Sequence, residues 1–216
     1  MRWKVVTLMA GLLTVSAGAA LAQGYYDSRS GGLEIIPFAG YRWGGGMSSI
    51  SGVRSFDTQD NVAAGVALDF RTPGNSAAEI YWSHFAGDIN ATLNNGTKLT
   101  EGPLQRDDIM LNGIWYAYRA NPRLLPYFSA GLGGSIFSTP KTASVGRFAW
   151  NIGAGLRRDN GQRLGIRADG RWMLTWVTTG TGMWCDPYYG CYSVGTGEYY
   201  DQFELTGGLI LKLGGR

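Results

Sequence analysis

Ser83 and His84 are the first candidates for chemistry, because a hydrolase uses a serine and a histidine as nucleophile and base. His84 is the only histidine of the chain. The surrounding segment Tyr81-Trp-Ser-His-Phe85 alternates as a β-strand does, so its adjacent residues face opposite sides. We expect Ser83 inside the fold and His84 at its outer surface, too far apart to act together. We therefore predict no catalytic residue, and we expect Asp107 and Asp108 to form a solvated rim.

The second candidate is a set of charges at every second position, Arg167, Asp169 and Arg171. On a strand these residues share one face, and other predicted strands also carry both signs on their polar face. We expect the charges to pair inside a closed barrel, with Glu204 as the partner of this set; unpaired arginines would instead surround a pore. The predicted lumen charge network is Glu34, Arg42, Asp69, Glu79, Asp108, Arg147, Arg167, Asp169, Arg171 and Glu204.

The N-terminus indicates export. Arg2 and Lys4 precede an apolar run that ends in Ala20-Leu-Ala22, the pattern of a cleaved secretory signal peptide, so we predict that residues 1–22 are removed and that 23–216 form one domain. The run is too short to span a membrane as a helix. Cleavage removes two of the 19 basic residues, which leaves the mature chain close to neutral against 16 acidic residues. A nucleic-acid partner is therefore not expected.

The two cysteines, Cys185 and Cys191, lie close together in a segment of turn formers and aromatic residues. In an exported chain this spacing predicts a disulfide that closes a small loop. The alternative is a metal site, but two thiolates without a nearby histidine make a poor zinc site. We expect no metal and no cofactor.

Composition and periodicity predict an all-β fold. The chain combines 34 glycines with 8 Trp, 12 Tyr and 8 Phe, whereas disordered chains lack such aromatic content. Apolar residues recur with period two in segments of about ten residues, close to the length of a tilted membrane-spanning strand. The eight predicted strands are Leu33 to Trp43, Val62 to Phe70, Ala77 to Ile89, Asp108 to Tyr118, Leu125 to Phe137, Arg147 to Leu156, Leu164 to Trp176 and Gln202 to Leu213.

The links between these strands alternate in length. Three short turns at 71–75, 119–123 and 158–162 are rich in Pro, Gly and Asn, and longer polar links cover 44–61, 90–107, 138–146 and 177–201. Outer-membrane barrels have this arrangement, with short periplasmic turns and longer outer loops. The sequence therefore predicts an eight-stranded antiparallel up-and-down transmembrane β-barrel in the outer membrane of a Gram-negative bacterium.

One face of each predicted strand is apolar and the other is small, polar or charged. In lipid the apolar face points outward, and aromatic residues at strand ends form two interfacial girdles. A soluble lipocalin-like barrel is the alternative, but it predicts neither the sorted links nor the charged face. The expected girdle residues are Tyr41, Trp43, Tyr118, Tyr127, Phe128, Trp150, Trp172 and Trp176, with Tyr200 also near the long links.

Several strands resemble those of the small porin-like outer-membrane barrels, relatives of the OmpA membrane domain. The motifs are Pro37-Phe-Ala-Gly-Tyr-Arg-Trp43, Pro126-Tyr-Phe-Ser-Ala-Gly-Leu-Gly-Gly134, Phe148-Ala-Trp-Asn-Ile-Gly-Ala-Gly-Leu156 and Leu164-Gly-Ile-Arg-Ala-Asp-Gly-Arg-Trp172. The resemblance implies contact with outer-membrane lipid and lipopolysaccharide, and assembly by periplasmic chaperones and the barrel-assembly machinery. The family usually ends on an aromatic residue, whereas this chain ends Leu211-Lys-Leu-Gly-Gly-Arg216, so we expect an internal assembly signal around Phe203 to Leu213.

We predict a structural or surface-interaction role rather than an enzymatic one. An eight-stranded barrel has an interior that side chains fill, so free diffusion of solutes is disfavoured. A narrow porin-like channel and a lipid A-modifying enzyme are the two alternatives. The link at 177–201, long, aromatic and closed by the predicted disulfide, is the expected contact for a partner outside the cell.

Overall fold

The structure is a computed structural model that describes residues 32–50, 53–72, 74–93, 95–117, 124–139, 142–159, 163–177, 183–186, 190–193 and 198–213. The predicted signal peptide and the short turn at 119–123 lie outside these residues. No helix in the described part is long and apolar enough to cross a membrane. The strands are β1 (Leu33–Gly44), β2 (Gly46–Ile50), β3 (Val53–Thr58), β4 (Asn61–Arg71), β5 (Ser76–Leu93), β6 (Lys98–Tyr116), β7 (Leu124–Thr139), β8 (Thr142–Asp159), β9 (Leu164–Val177), β10 (Met183–Asp186), β11 (Gly190–Ser193) and β12 (Glu198–Leu213).

Eight of these strands close into a barrel. Going around the wall, the order is β1, β4, β5, β6, β7, β8, β9 and β12, and every neighbouring pair is antiparallel. The pairing of β1 with β12 closes the wall, with Leu33 opposite Leu213 at one end and Arg42 opposite Glu204 near the other. Apart from this closing pair, each barrel strand pairs with the barrel strand before it and the one after it along the chain. The fold is therefore an up-and-down eight-stranded antiparallel β-barrel, as the sequence predicts.

The long links are more regular than the sequence suggests. Strands β2 and β3 form a hairpin within the predicted link 44–61, and β3 pairs with the outer part of β5. Strands β5 and β6 are 18 and 19 residues long, so they occupy most of the predicted link 90–107. Strand pairing thus extends into the predicted polar links, because polar residues can pair in a β-ladder beyond the apolar part of a strand as well as within it. In the predicted link 138–146, β7 continues to Thr139 and β8 begins at Thr142, and β10 and β11 pair antiparallel within the link 177–201.

The barrel is apolar outside and polar inside. Leu111, Leu132 and Leu209 on the outer face are 64%, 60% and 59% exposed, whereas Arg42 and Glu204 on the inner face are fully buried. Soluble proteins bury leucine and expose charge, so the arrangement suits a wall that is surrounded by lipid. The inner face also holds apolar side chains, chiefly Ile36, Phe38, Ala67, Tyr81, Met110, Ala149, Met173 and Ile210.

Candidate functional site

The barrel interior contains three layers of ion pairs, and the outer layer lies nearest the long links. Arg42 donates from Nε to Glu204 Oε2 at 2.7 Å, from Nη1 to Asp108 Oδ2 at 2.6 Å, and from Nη2 to Ser83 Oγ at 2.9 Å. Arg106 donates from Nε to Asp108 Oδ1 at 2.8 Å. All four charged side chains are fully buried. Two arginines and two carboxylates make this layer electrically neutral.

The outer mouth of the lumen is covered by aromatic rings. The guanidinium carbon of Arg106 lies 5.2 Å from the ring centre of Phe137 and 5.4 Å from that of Tyr200, and the two rings contact each other edge to face at a centroid distance of 5.8 Å, so the cation packs against both rings. The hydroxyl groups of Tyr200 and Thr58 are 2.7 Å apart and form a hydrogen bond. Tyr200 is therefore buried inside the mouth, and the prediction that it joins the interfacial girdle is wrong.

The middle layer joins opposite walls of the barrel. Arg171 on β9 donates from Nη1 and Nη2 to the two carboxylate oxygens of Glu79 on β5, at 2.9 and 3.1 Å, in bidentate geometry. Its Nε donates to Asp169 Oδ1 at 2.6 Å. Arg167 pairs with Asp69 at 3.2 Å, with Glu79 at 2.6 Å and with Asp169 at 3.1 Å. Three carboxylates thus surround two arginines.

Tyr81 connects the middle and outer layers. Its ring lies 4.1 Å from the guanidinium carbon of Arg171, and its hydroxyl donates to Glu204 in the outer layer. The same ring stacks on Phe38 at a centroid distance of 4.8 Å. Since Tyr81 is almost fully buried, it fills the space that a channel would need between the layers.

The inner layer lies beside the short turns. Arg157 donates from Nη1 and Nη2 to Glu34 at 2.5 and 2.8 Å, and from Nη2 to Asp159 at 2.9 Å. Lys212 Nζ is 3.2 Å from Asp159. Asp159 is the last residue of β8, and its side chain is 20% exposed at the short-turn end of the barrel. Burial alone would raise the pKa of Asp159, but hydrogen bonds and charge from Arg157 and Lys212 outweigh burial and lower it.

The structure places all but one of the ten predicted lumen charges in these layers. Arg147 is the exception: it lies on the inner face near the outer end of β8, half-buried, and forms no ion pair with a described residue. The predicted pairing of Glu204 with Arg167 and Arg171 is wrong, because the Glu204 carboxylate accepts hydrogen bonds from Arg42 and Tyr81 instead. The sequence prediction also missed Arg106 and Arg157. Alternation of inward and outward residues along a strand would include both arginines. Arg106 lies two residues before Asp108, and Arg157 continues the polar face of β8.

Most predicted girdle residues lie on the outer face. Five of the predicted girdle side chains are 36% to 47% exposed on this face, and a sixth, Trp150, is half-buried. Tyr118 lies outside the described residues. Tyr127 is a correction: it is 5% exposed, and its hydroxyl accepts a hydrogen bond from Arg167 Nε at 2.6 Å inside the lumen. Tyr127 and Phe128 are adjacent on a strand and cannot both face lipid. The exposed girdle residues are Tyr41, Trp43, Phe128, Trp172 and Trp176.

His84 and Ser83 lie on opposite faces of β5. Ser83 is fully buried in the outer layer, whereas His84 Nδ1 is on the outer face, 3.0 Å from Asp107 Oδ1. Trp82 Nε1 donates to the same oxygen at 3.2 Å. Asp107 is therefore part of a hydrogen-bonded cluster at the outer surface rather than an acid pair with Asp108. No group of three metal-ligating side chains occurs in the described part of the chain.

The two cysteines occupy paired positions in the backbone register of β10 and β11. The register places Cys185 directly opposite Cys191 in an antiparallel pair. Residues directly opposite one another in such a pair have Cα atoms about 4.5 to 5.5 Å apart, within the usual range for a disulfide. The backbone is thus compatible with the disulfide, which stays a prediction.

Comparison with solved structures identifies the class of the fold. Neisserial surface protein A superposes with a TM-score of 0.54 at 12% identity, over 87% of this chain and all of the other. The outer membrane protein OprG from Pseudomonas aeruginosa gives a TM-score of 0.56 at 10% identity, over 86% of this chain and 97% of the other. No family model and no curated protein sequence matches the chain. The fold is that of the small outer-membrane β-barrels, with a lumen filled by paired charges.

Proposed function

We propose that the chain is an integral outer-membrane barrel with a structural or surface-interaction role, rather than a solute channel or an enzyme. The observation that carries this proposal is the filled lumen. The buried arginines of the three layers, Arg42, Arg106, Arg157, Arg167 and Arg171, each pair with a carboxylate in the described structure. Their contacts cross the barrel at the outer, middle and inner levels, so a solute would have to break buried ion pairs at each level.

Conductance of a planar lipid bilayer tests the absence of a channel. We expect the purified, refolded protein to insert without unitary currents, under conditions in which a large general porin conducts. The amount of folded, inserted protein can be measured by its heat-modifiable migration on a gel. An absence of currents is then not confused with failed insertion. Steady unitary currents from the inserted protein would overturn the proposal and favour the narrow channel.

The ordered structure beyond the barrel supports a surface role. Strands β2, β3, β5 and β6 are consecutive neighbours in one sheet that continues past the barrel on the side of the long links. A membrane-spanning strand needs about 9 to 11 residues, so β5 and β6 extend well beyond the bilayer. This sheet and the β10–β11 hairpin offer rigid backbone to a partner, which lowers the ordering cost of binding.

Epitope tags test which side the sheet faces. We expect a tag inserted between Asn95 and Gly96, at the tip of the β5–β6 hairpin, to bind antibody on intact cells. A matched tag between Gly74 and Asn75, in the short turn, should bind antibody only after the outer membrane is permeabilised. The opposite pattern, or equal access to both tags, would contradict the proposed orientation.

A deletion strain separates envelope integrity from surface attachment. If the barrel stabilises the envelope, the strain should be more sensitive to SDS with EDTA, and a chain with 183–193 replaced by a Gly-Ser linker should restore resistance. If the hairpin binds a partner, the linker variant and Cys185→Ser/Cys191→Ser should both fail to restore attachment to surfaces. A strain unchanged in both properties would overturn the proposed role.

Lipid modification is the remaining alternative. His84 contacts Asp107 on the outer face, and Ser83 is held inside by Arg42 and Glu204, so the pair lacks hydrolase geometry. We expect the lipid A mass spectrum to be the same with and without expression of the chain. Loss or gain of an acyl chain that depends on His84 would contradict a non-enzymatic role.

A further inference from the structure

The exposed and half-buried charged side chains at the two ends of the barrel are opposite in sign. At the outer end the described side chains include Asp57, Asp60, Asp88, Asp107 and Asp201, against the exposed Lys98 and the half-buried, inward Arg147. We name the other end the short-turn rim and define it by Arg71, Arg158, Arg163, Lys212 and Asp159. Four of its five members are basic. The net charge of the mature chain, which is close to zero, does not reveal this separation of acidic and basic side chains between the two ends.

The rim arginines differ from the lumen arginines in their partners. Arg71, Arg158 and Arg163 form no ion pair with any carboxylate in the described structure, whereas Lys212 and Asp159 pair with each other at 3.2 Å. Arg71 lies over the Tyr116 ring, 4.9 Å from guanidinium carbon to ring centre. Three positive charges at one end of the barrel therefore have no anionic partner within the described protein.

Arg158 also lies at a lipid boundary. It is exposed on the outer face, directly opposite Ile166 and two residues after Leu156, which are 53% and 50% exposed. Its aliphatic stem can follow this apolar surface while its guanidinium reaches the headgroup region. Arg163 is exposed just before β9, the strand that pairs with β8. Its carbonyl oxygen accepts the backbone N–H of Lys212 at 3.0 Å, and Lys212 binds Asp159, the residue after Arg158. Arg158, Arg163 and Lys212 thus lie at the short-turn ends of the neighbouring strands β8, β9 and β12, and Arg71 lies at the end of β4, two strands from β12 around the wall.

We propose that the short-turn rim binds the phosphate of anionic phospholipid headgroups in the leaflet that it faces, an inference that rests on the proposed membrane location. A guanidinium offers paired N–H donors that match phosphate oxygens, and a basic side chain near an anionic bilayer surface is attracted to it. The acidic outer end would repel the same headgroups. The rim therefore selects lipid at one leaflet only.

Spin-labelled lipids test this selection directly. The protein is inserted in phosphatidylcholine vesicles, and electron paramagnetic resonance measures the motionally restricted fraction of labelled phosphatidylglycerol and of labelled phosphatidylcholine. We expect a preference for phosphatidylglycerol of about threefold to fivefold at low salt, falling as ionic strength screens the charges. Arg158→Gln/Arg163→Gln should lose most of the preference, and Arg158→Lys/Arg163→Lys should retain it.

Lys98→Gln is the matched control, since it removes an exposed cation from the opposite end of the barrel. It should leave the preference unchanged. Equal restriction of the two lipids by the original chain, or a preference that survives Arg158→Gln/Arg163→Gln, would overturn the proposal. If neither lipid is restricted, the chain is not inserted, and the proposed membrane location fails instead. Both arginines are exposed, so their replacement should leave heat-modifiable migration intact and confirm that the variants fold.

Discussion

Arg171 on β9 binds Glu79 on β5, across the full width of the barrel, although Glu204 stands directly opposite Arg171 on the neighbouring strand. Four strand positions separate β5 from β9 in the eight-stranded wall. The bidentate pair therefore spans the lumen rather than following the wall. Glu79 also binds Arg167, so a single carboxylate holds two arginines in place.

Replacement of Glu79 by glutamine should destabilise the barrel strongly. The variant keeps the shape of the side chain but leaves Arg167 and Arg171 short of a counter-charge in a buried site. Removal of one partner of a buried ion pair typically costs about 3 to 5 kcal/mol. The midpoint of urea unfolding in lipid vesicles, followed by heat-modifiable migration, measures the loss. Lys98→Gln on the exposed outer hairpin should change this midpoint little, and an equal effect of both changes would contradict the role of Glu79.

Alternation along the strands predicts most of the charges that enter the lumen but not which charges pair. Period two assigns each residue to a face, so Arg42, Asp69 and Glu79 are assigned inward without any structure. Pairing depends on the height of each strand relative to strands three or four places away around the wall. That stagger comes from the register of every intervening pair, which alternation alone does not give. The assignment of Glu204 to the Arg167 set used neighbouring strands only and failed for this reason.

Glycine positions carry information that the sequence prediction used only in part. The tendency of aromatic residues to gather at strand ends predicts Tyr127 in the outer girdle, yet Tyr127 lies two residues before Ser129 and shares its inward face. Gly155 lies directly opposite Tyr127 on β8 and leaves space for its ring. A large inward aromatic residue with a glycine across the ladder is therefore a signal for a filled lumen.

Gly155→Ala should destabilise the barrel, because the new Cβ would collide with the Tyr127 ring and lie 2.6 Å from the carbonyl oxygen of Ala168. Overpacking of this kind typically costs about 1 to 3 kcal/mol. Gly207→Ala is the matched control: Gly207 lies on the outer face, where a Cβ meets nothing within 4 Å. Urea unfolding midpoints should fall for the first variant and stay near the original value for the second. Similar midpoints for both would show that Tyr127 does not fill the lumen opposite Gly155.

Asp159 should make the inner layer sensitive to acid. Its pKa is lowered in the folded state by Arg157 and Lys212, so the unfolded chain binds a proton at higher pH than the folded chain does. The stability that Asp159 contributes is therefore fully present above its unfolded pKa of about 4 and is lost as the pH falls below it. Asp159→Asn should be less stable than the original chain at neutral pH, and the gap between their unfolding midpoints should close in acid. A gap that widens or stays constant as the pH falls would contradict this.

Arginine substitutions on the outer face test whether that face contacts lipid, because their cost in stability depends on depth in a bilayer. Leu132 is 60% exposed near the middle of β7, and Val62 is 58% exposed at the outer end of β4. In a bilayer, arginine on the lipid face costs about 2 to 4 kcal/mol at the midplane but only about 0 to 1 kcal/mol near the interface. Leu132→Arg should therefore impair insertion and lower the unfolding midpoint, while Val62→Arg should be tolerated.

A barrel surrounded by water gives the opposite result for the same pair. Both positions are exposed to a similar extent, so arginine would be accepted at each, and the loss of an exposed leucine or valine would cost little. Depth along the strand would then have no effect. Equal tolerance of the two variants would contradict the lipid-facing surface and with it the membrane location. A large cost at Leu132 alone would indicate an apolar medium around the middle of the barrel, because the two side chains are exposed to nearly the same extent.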